Sequence, residues 1–330
     1  MNQDSVIVSR FEELPDTARI ASIGTFDGVH RGHRHLLGLL VGRARALGVE
    51  SLVVTFEPTP VQLFAPDRFR GRLASNDDRA RMILEAGVDR VLVLPFTHEL
   101  ARQTPEEFLA RLAASGVREL WVGEDFALGH KRAGDVATLR RIGVELGVVV
   151  EAIVRVDFDG LTVSSSAIRE RILAGDVREA NRLLGYPFAI TGPVVRGDQV
   201  GRTIGYPTAN VPLPPDIVKP ADGSYASWAW IDGVPGPLAA MTYIGTRPVL
   251  NTGERVVETH IFDFDADLYG KRLRSEFVSF LRPDQHFDGL DILLEHLADD
   301  ALRARAVLAD EGSERFARHA GQVTEQTPGV

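Results

Sequence analysis

Residues 20–33 read IASIGTFDGVHRGH. The opening IASIG is a short apolar run of the kind found in strands covered on both faces, and helical spacing starts at 32 and continues to 47. A loop that leaves a buried strand and opens a helix has backbone N–H groups and the helix dipole aimed at its occupant, for which phosphate is the natural candidate. Gly28 and Gly32 permit close approach of backbone and ligand. His30 and His33, three apart at the helix start, present two imidazoles on one side, suited to neutralising charge on a phosphoryl group in transfer.

Outward from this stretch, residues 52–56, 90–95, 119–123 and 148–156 repeat the Val/Ile/Leu-rich strand pattern. Between them, 76–86, 105–115 and 135–147 carry helical spacing, with Ser75 or Asn76 as a cap and Pro105 in a first turn. The alternation predicts a doubly wound parallel sheet, Rossmann-like, binding its ligand at the carboxyl ends of the strands. Helices are expected at 165–174 and 176–184. After Gly185 the helical period disappears, and the runs 188–196, 224–231, 238–244, 256–264 and 272–281 alternate between Gly/Pro turns, predicting an antiparallel sandwich or barrel. Helical spacing returns over 288–310, and the polar run from 318 reads as a frayed tail. The expected organisation is therefore 1–184, 185–316 and a tail over 317–330.

Composition narrows the function. At 330 residues the chain exceeds what one core serves, and 44% apolar with 25% charged residues is ordinary for a globular protein. No apolar tract predicts a membrane span and no export signal is apparent, so the expected compartment is the cytoplasm. The absence of cysteine excludes disulfides, thiolate metal sites and cysteine nucleophiles. A net charge of −9 without a Lys/Arg cluster argues against nucleic acid as a partner. The three lysines, Lys131, Lys219 and Lys271, close no GxxxxGK[ST] loop and sit in no VAIK-like strand, which excludes P-loop and protein-kinase chemistry.

The stretch from Gly24 through Thr25, Phe26, Asp27 and Gly28 to His30 and His33 resembles the HxGH nucleotidyltransferases. Within them it resembles the flavin adenylyltransferase half of bacterial bifunctional riboflavin kinase/FAD synthetases. Companion motifs follow in order: TFEPTP at 55–60, GEDFALG at 123–129 with Asp125, and VSSSAIR at 163–169. A bare SSS is an ordinary helix cap. Last in this series, it looks like the family's SSTxIR phosphate motif, which implies phosphate contacts from Ser164 and Ser165 and a grip by Arg169 on the departing pyrophosphate. Two positions depart from the pattern, Thr59 where the family usually has His and Ser166 where it has Thr.

The second motif runs GDQVGRTIGYPTAN over 197–210. A glycine loop alone reads equally as a hairpin. Thr208 and Asn210, however, are two apart on an extended segment and able to share a hard cation such as Mg²⁺ with nucleotide phosphates. The run closely resembles the riboflavin kinase signature, which implies a six-stranded barrel with a terminal helix. It further implies a loop of Gly197, Gly201, Arg202, Gly205 and Pro207 over ATP phosphates, and magnesium on Thr208 and Asn210. Further blocks, IGTRP at 244–248, VETH at 257–260 and DLYG at 267–270, keep family order, and Glu258 falls where the family has its catalytic base. The resemblance covers about residues 15–310. It implies phosphorylation of riboflavin to FMN and adenylylation of FMN to FAD, with ATP as co-substrate and Mg²⁺ as the metal. The partners are then small molecules, and a homo-oligomer is compatible with the chain. Two alternatives stand beside it: a kinase whose adenylyltransferase half is impaired at Thr59, and a nucleotidyltransferase for another acceptor whose barrel senses flavin.

Overall fold

The computed structural model describes residues 6–154, 157–158, 160–197, 199–246 and 255–324. The chain divides into two compact units, 1–167 and 168–330. The first contains β1 (Ile7–Val8), β2 (Arg19–Ile23), α1 (Arg31–Leu47), β3 (Glu50–Glu57), α2 (Pro60–Phe64), α3 (Asn76–Glu85), β4 (Arg90–Pro95), α4 (Pro105–Ala114), β5 (Val117–Gly123), β6 (Ala127–Leu128), β7 (Gly134–Asp135), α5 (Val136–Leu146), β8 (Val149–Ile153), β9 (Asp157–Phe158) and β10 (Leu161–Thr162). Six strands form a parallel sheet in the order β1-β4-β3-β2-β5-β8. The chain winds outward from β2 through β3 to β4, then returns to the other side of β2 for β5 and β8. The crevice of such a sheet lies where the winding reverses, between the carboxyl ends of β2 and β5.

The continuous apolar character of IASI follows from this position, since all five residues of β2 are buried. Leu52, Val54, Leu92, Leu120 and Val122 share a core with Leu109 and Leu112 of α4 and Leu139 of α5. Each such side chain contributes about 1.5–3 kcal/mol relative to exposure. The start of α4 is built as its sequence predicts: Pro105 opens the helix, and the Thr104 N–H donates to the Glu107 carboxylate at 2.8 Å. The strand expected over 148–156 is seen as β8 through Ile153, while residues 155 and 156 lie outside the described set. The two-residue pairs β6/β7 and β9/β10 are too short to leave a periodic signal.

Helix α6 (Ser165–Leu173) contains the division between units, and the second unit continues with α7 (Val177–Leu184), β11 (Ala189–Pro193), α8 (Val200–Thr203), β12 (Ala209–Pro212), β13 (Gly223–Ile231), β14 (Leu238–Thr246), β15 (Arg255–Ile261), β16 (Arg272–Pro283) and α9 (Leu290–Thr324). The division falls at 167/168, ahead of the change in texture near 185. The cause is α7, which buries Val177, Ala180, Leu183 and Leu184. Its Asn181 donates to the Phe277 carbonyl and accepts from the Phe188 N–H, both at 2.7 Å. A helix that continues the period of the first half thus belongs physically to the second.

The six strands of this unit pair antiparallel in the order β11-β16-β13-β14-β15-β12. Beyond β11, the Val195 N–H donates to the Asn210 carbonyl at 2.8 Å, which brings the two edge strands together as a near-barrel. Inside, Ser227, Thr242, Thr259 and Ser275 form a chain of buried hydroxyls with spacings of 2.7, 3.1 and 2.8 Å, each partnered and so tolerated in the core. Ala304 and Leu308 of α9 close one side over Ala226, Met241, Phe262 and Val278. The helix runs on to Thr324, through most of the stretch whose polarity reads as a frayed tail.

Candidate active sites

The loop after β2 is made by left-handed backbone at three of four consecutive positions, Phe26 (φ 47°), Gly28 (φ 76°) and Val29 (φ 35°). Two of these are side-chain-bearing residues in a region that usually costs energy, which calls for support from the surroundings. The Gly24 N–H donates to the Val54 carbonyl at 3.1 Å. The Asp27 carboxylate accepts from the Leu73 N–H at 2.9 Å, and the Asp27 carbonyl accepts from the Ser165 hydroxyl at 2.9 Å. Asp27 and Ser165, both expected to face phosphate, therefore hold the loop, while Ser164 accepts from the Ala167 N–H at 3.2 Å as the cap of α6. Arg169 lies one turn further along α6, within the second unit.

His30 caps α1: its Nδ1 accepts from the His33 N–H at 3.3 Å, which leaves the proton on Nε2 in the neutral ring. The two imidazoles stack at 3.6 Å between centroids with a 14° tilt, and Phe26 sits 5.1 Å from His33. Burial, and then the neighbouring His30, push the His33 pKa well below the ordinary histidine value, so this imidazole is neutral at pH 7. Its Nδ1 is buried without a hydrogen-bond partner. His33 therefore offers a hydrogen bond to a phosphoryl group rather than a standing positive charge.

A buried arginine joins this loop to the end of β3. Arg79 of α3 donates to the Thr25 carbonyl at 2.9 Å, the Phe56 carbonyl at 3.1 Å and Asn76 Oδ1 at 2.5 Å, with Glu57 at 3.5 Å. Its pKa is lowered to about 10 by burial and then by Arg72, which leaves it charged at pH 7. Arg72 pairs with Glu57 and also donates to Gln62 at 2.8 Å. Thr59, standing where the resembled family has His, is buried and donates its hydroxyl to Gln62 at 2.9 Å.

These loops line a cavity of about 910 Å³. Gly24, Thr25, Phe26, His30, His33, Asp125, Ser164 and Ser165 reach its wall. Asp27 and Gly28 do not. Sequence reading missed two parts of that wall. Phe56, Phe96 and Phe126 come from the ends of β3, β4 and β5 and Phe64 from the end of α2, with Phe56 and Phe64 each packed edge-on against Phe96. The turn His130–Arg132, between β6 and β7, adds Lys131 and Arg132. Isolated aromatics carry no spacing signal; the adjacent cations of the turn were visible but unplaced.

In the second unit, β12 pairs with β15 so that Asn210 stands opposite Glu258. The Thr208 hydroxyl donates to Glu258 Oε2 at 3.3 Å, and Asn210 Nδ2 donates to the Thr208 carbonyl at 3.3 Å. Thr208, Asn210 and Glu258 are thus brought together, each with an oxygen donor of the kind a hard cation takes. Alternation along β15 buries Val257, Thr259 and Ile261 and turns Glu258 and His260 to the other face. His260 Nδ1 lies 2.8 Å from the Pro207 carbonyl and its ring meets Tyr206 at 5.2 Å, so it braces the Pro207–Thr208 segment. That support was not read from the sequence. A Cβ on Gly201 would fall 2.3 Å from the Tyr206 carbonyl oxygen, and the Tyr206 N–H closes the loop on the Gly201 carbonyl at 2.8 Å. Gly197, Gly205, Pro207 and the exposed Arg202 flank this loop, while Asp198, Arg247 and Pro248 lie outside the described residues.

Residues 13–167 match the FAD synthetase family and residues 184–308 the riboflavin kinase family. The bifunctional riboflavin kinase/FMN adenylyltransferase of Pseudomonas fluorescens is 43% identical over 293 residues, spanning 88% of this chain and 93% of the relative. That of Escherichia coli K12 is 38% identical over 300 residues, spanning 90% and 95%. A solved Streptococcus pneumoniae structure described as a macrolide-efflux protein superposes with a TM-score of 0.81 at 30% identity, covering 91% of this chain and 98% of that one. With both halves matched in order and these relatives aligned almost end to end, the chain belongs to the bifunctional riboflavin kinase/FMN adenylyltransferase family.

Proposed function

We infer that the chain makes flavin cofactors by two ATP-dependent reactions: the second unit phosphorylates riboflavin to FMN, and the first joins FMN to AMP from a further ATP, giving FAD and pyrophosphate. The observation that carries this reading is the convergence of Thr208, Asn210 and Glu258 in one half together with the stacked His30–His33 pair on the cavity wall at the start of α1 in the other.

In the kinase half, Glu258 takes the proton of the ribityl 5′-hydroxyl as that oxygen attacks the γ-phosphate and ADP departs. The loop of Gly197, Gly201, Arg202 and Gly205 covers the phosphates. Thr208 and Asn210, with Glu258 beside them, would hold Mg²⁺, which supplies charge stabilisation on the phosphate oxygens. In the adenylyltransferase half, an oxygen of the FMN phosphate attacks the α-phosphate of ATP. The start of α1, His30 and His33 hydrogen-bond the phosphoryl oxygens there, with Ser164 toward the leaving pyrophosphate. Neither reaction passes through a covalent enzyme intermediate. The aromatic wall of the cavity suits an isoalloxazine ring. The net charge of −9 without a Lys/Arg cluster supports small-molecule partners over nucleic acid. The efflux description of the pneumococcal chain draws no support here: among the described residues no helix is long and apolar enough to cross a membrane.

The test is a time course with riboflavin, excess ATP and Mg²⁺, resolved by chromatography. FMN should appear first and FAD later. Glu258→Gln should slow the first step by about 10²–10⁴-fold and leave FMN-to-FAD conversion intact, while His30→Ala does the reverse. FMN without FAD would sink the adenylyltransferase assignment and point to Thr59; no conversion would sink both.

A further inference from the structure

Adenylylation of FMN brings a phosphate dianion against the polyphosphate of ATP, and two such anions approach only where fixed positive charge offsets their repulsion. His33 does not supply it, because burial holds that imidazole neutral. Standing cations on the cavity wall come instead from Lys131 and Arg132, together with Arg102 after β4.

The turn carrying Lys131 and Arg132 is built for rigid presentation. Both residues adopt left-handed backbone (φ 54° and 59°), a conformation rare for side-chain-bearing residues and doubly so in succession. Flanking Gly129 and Gly134 press on Pro105, where an added Cβ at either would fall 2.8 Å from a ring carbon. The His130 N–H donates to the Gln103 carbonyl at 2.9 Å, and Arg132 Nη2 donates to the Asp125 carbonyl at 3.1 Å. Both charged residues are exposed and line the cavity, and Lys131 is one of only three lysines in the chain. Asp125, also on the wall, is engaged by Arg132 through its main-chain oxygen, so this contact leaves the rest of the guanidinium fork available to a ligand oxygen.

We propose that the His130–Arg132 turn recognises the phosphate of the flavin nucleotide, with Lys131 and Arg132 as the specificity-determining side chains that separate FMN from unphosphorylated flavin in this cavity. The inference rests on the adenylyltransferase reading above and adds the part of the site that handles the acceptor. ATP is met by the loop after β2 and the start of α6; the turn between β6 and β7 meets the other anion.

The experiment uses the full chain and FMN supplied directly, following FAD formation in Lys131→Gln, Arg132→Gln and the double variant. Each single variant should raise KM for FMN by about tenfold or more, as loss of a charge-assisted hydrogen bond does. KM for ATP and the riboflavin kinase rate should stay within about twofold, the latter reporting that the chain is folded. Lys131→Arg, which keeps the charge, should recover most of the loss. KM for FMN unmoved in both single variants, or a rise in KM for ATP of equal size, overturns the proposal. A wild-type chain that turns supplied FMN into no FAD overturns the underlying reading, and the proposal with it.

Discussion

Replacing Arg79 with Met tests whether the two loops of the adenylyltransferase site are held by one buried guanidinium. The side chain is 2% exposed and donates to the Thr25 carbonyl, the Phe56 carbonyl and Asn76. Methionine nearly matches its length and offers no donor, so acceptors at two loop ends are left to find new partners or remain unpaired, at about 1–3 kcal/mol each. Glu57 keeps Arg72, so the charge is not wholly abandoned. The loss therefore falls short of a simple sum, and about 3–5 kcal/mol is expected, the range for breaking a buried pair. A denaturant titration followed by circular dichroism reads this as a lower midpoint for the transition of the first unit. The functional consequence is separate: Thr25 and Phe56 sit on the cavity wall, and a shift of 1 Å in a positioning element costs on the order of 10²-fold in rate. FMN-to-FAD kcat should fall by that order, measured at low temperature where the variant is folded, with riboflavin phosphorylation within about twofold of wild type. Arg79→Lys, which keeps the charge and some donors, should fall between. A variant with wild-type FAD formation, or one in which both activities fall together, would refute the assignment of Arg79 as the tie between the loops.

Gly201→Ala should raise KM for ATP in the kinase reaction, because the added carbon meets the Tyr206 carbonyl oxygen and the phosphate loop must open; steady-state kinetics at fixed riboflavin check this. Thr208→Val should weaken magnesium activation of FMN formation while leaving magnesium activation of FAD formation unchanged, read from rate against free Mg²⁺. Stability should fall as pH is lowered through and below about 6.5. His33 and His260 are both depressed by burial, so the unfolded chain takes up protons there that the folded chain refuses. Thermal melts from pH 7.5 to 5 should show the decline, and His33→Gln should flatten part of it.

The fold was legible where one segment carries a whole period. Buried β2, β3 and β5, the capped helices and the alternating barrel strands each announce themselves, and their carboxyl-end loops follow from topology. The boundary near 185 was read from texture, but Asn181 ties α7 to the second sheet through Phe277 and Phe188, a tertiary fact with no local signature. On the cavity wall, residues that stand in contiguous motifs are the ones the sequence singles out, while side chains that converge from separate loops are not. Phe56, Phe96 and Phe126 share a wall only because β3, β4 and β5 end at one edge.

Chemical role proved harder to read than position. GTFDGVHRGH implies phosphate, and two histidines imply charge, yet burial, and then the neighbouring His30, hold His33 neutral. Asp27 and Ser165, polar residues inside phosphate motifs, spend their side chains on holding a left-handed loop in place. A loop with left-handed backbone needs such internal supports, so the motif holds braces beside its candidate contact groups, and sequence alone lists them together. Charge that His33 does not carry is then sought among residues outside this stretch. Among the described cavity residues, the exposed cations of the β6/β7 turn meet that requirement without competing for the loop's own hydrogen bonds.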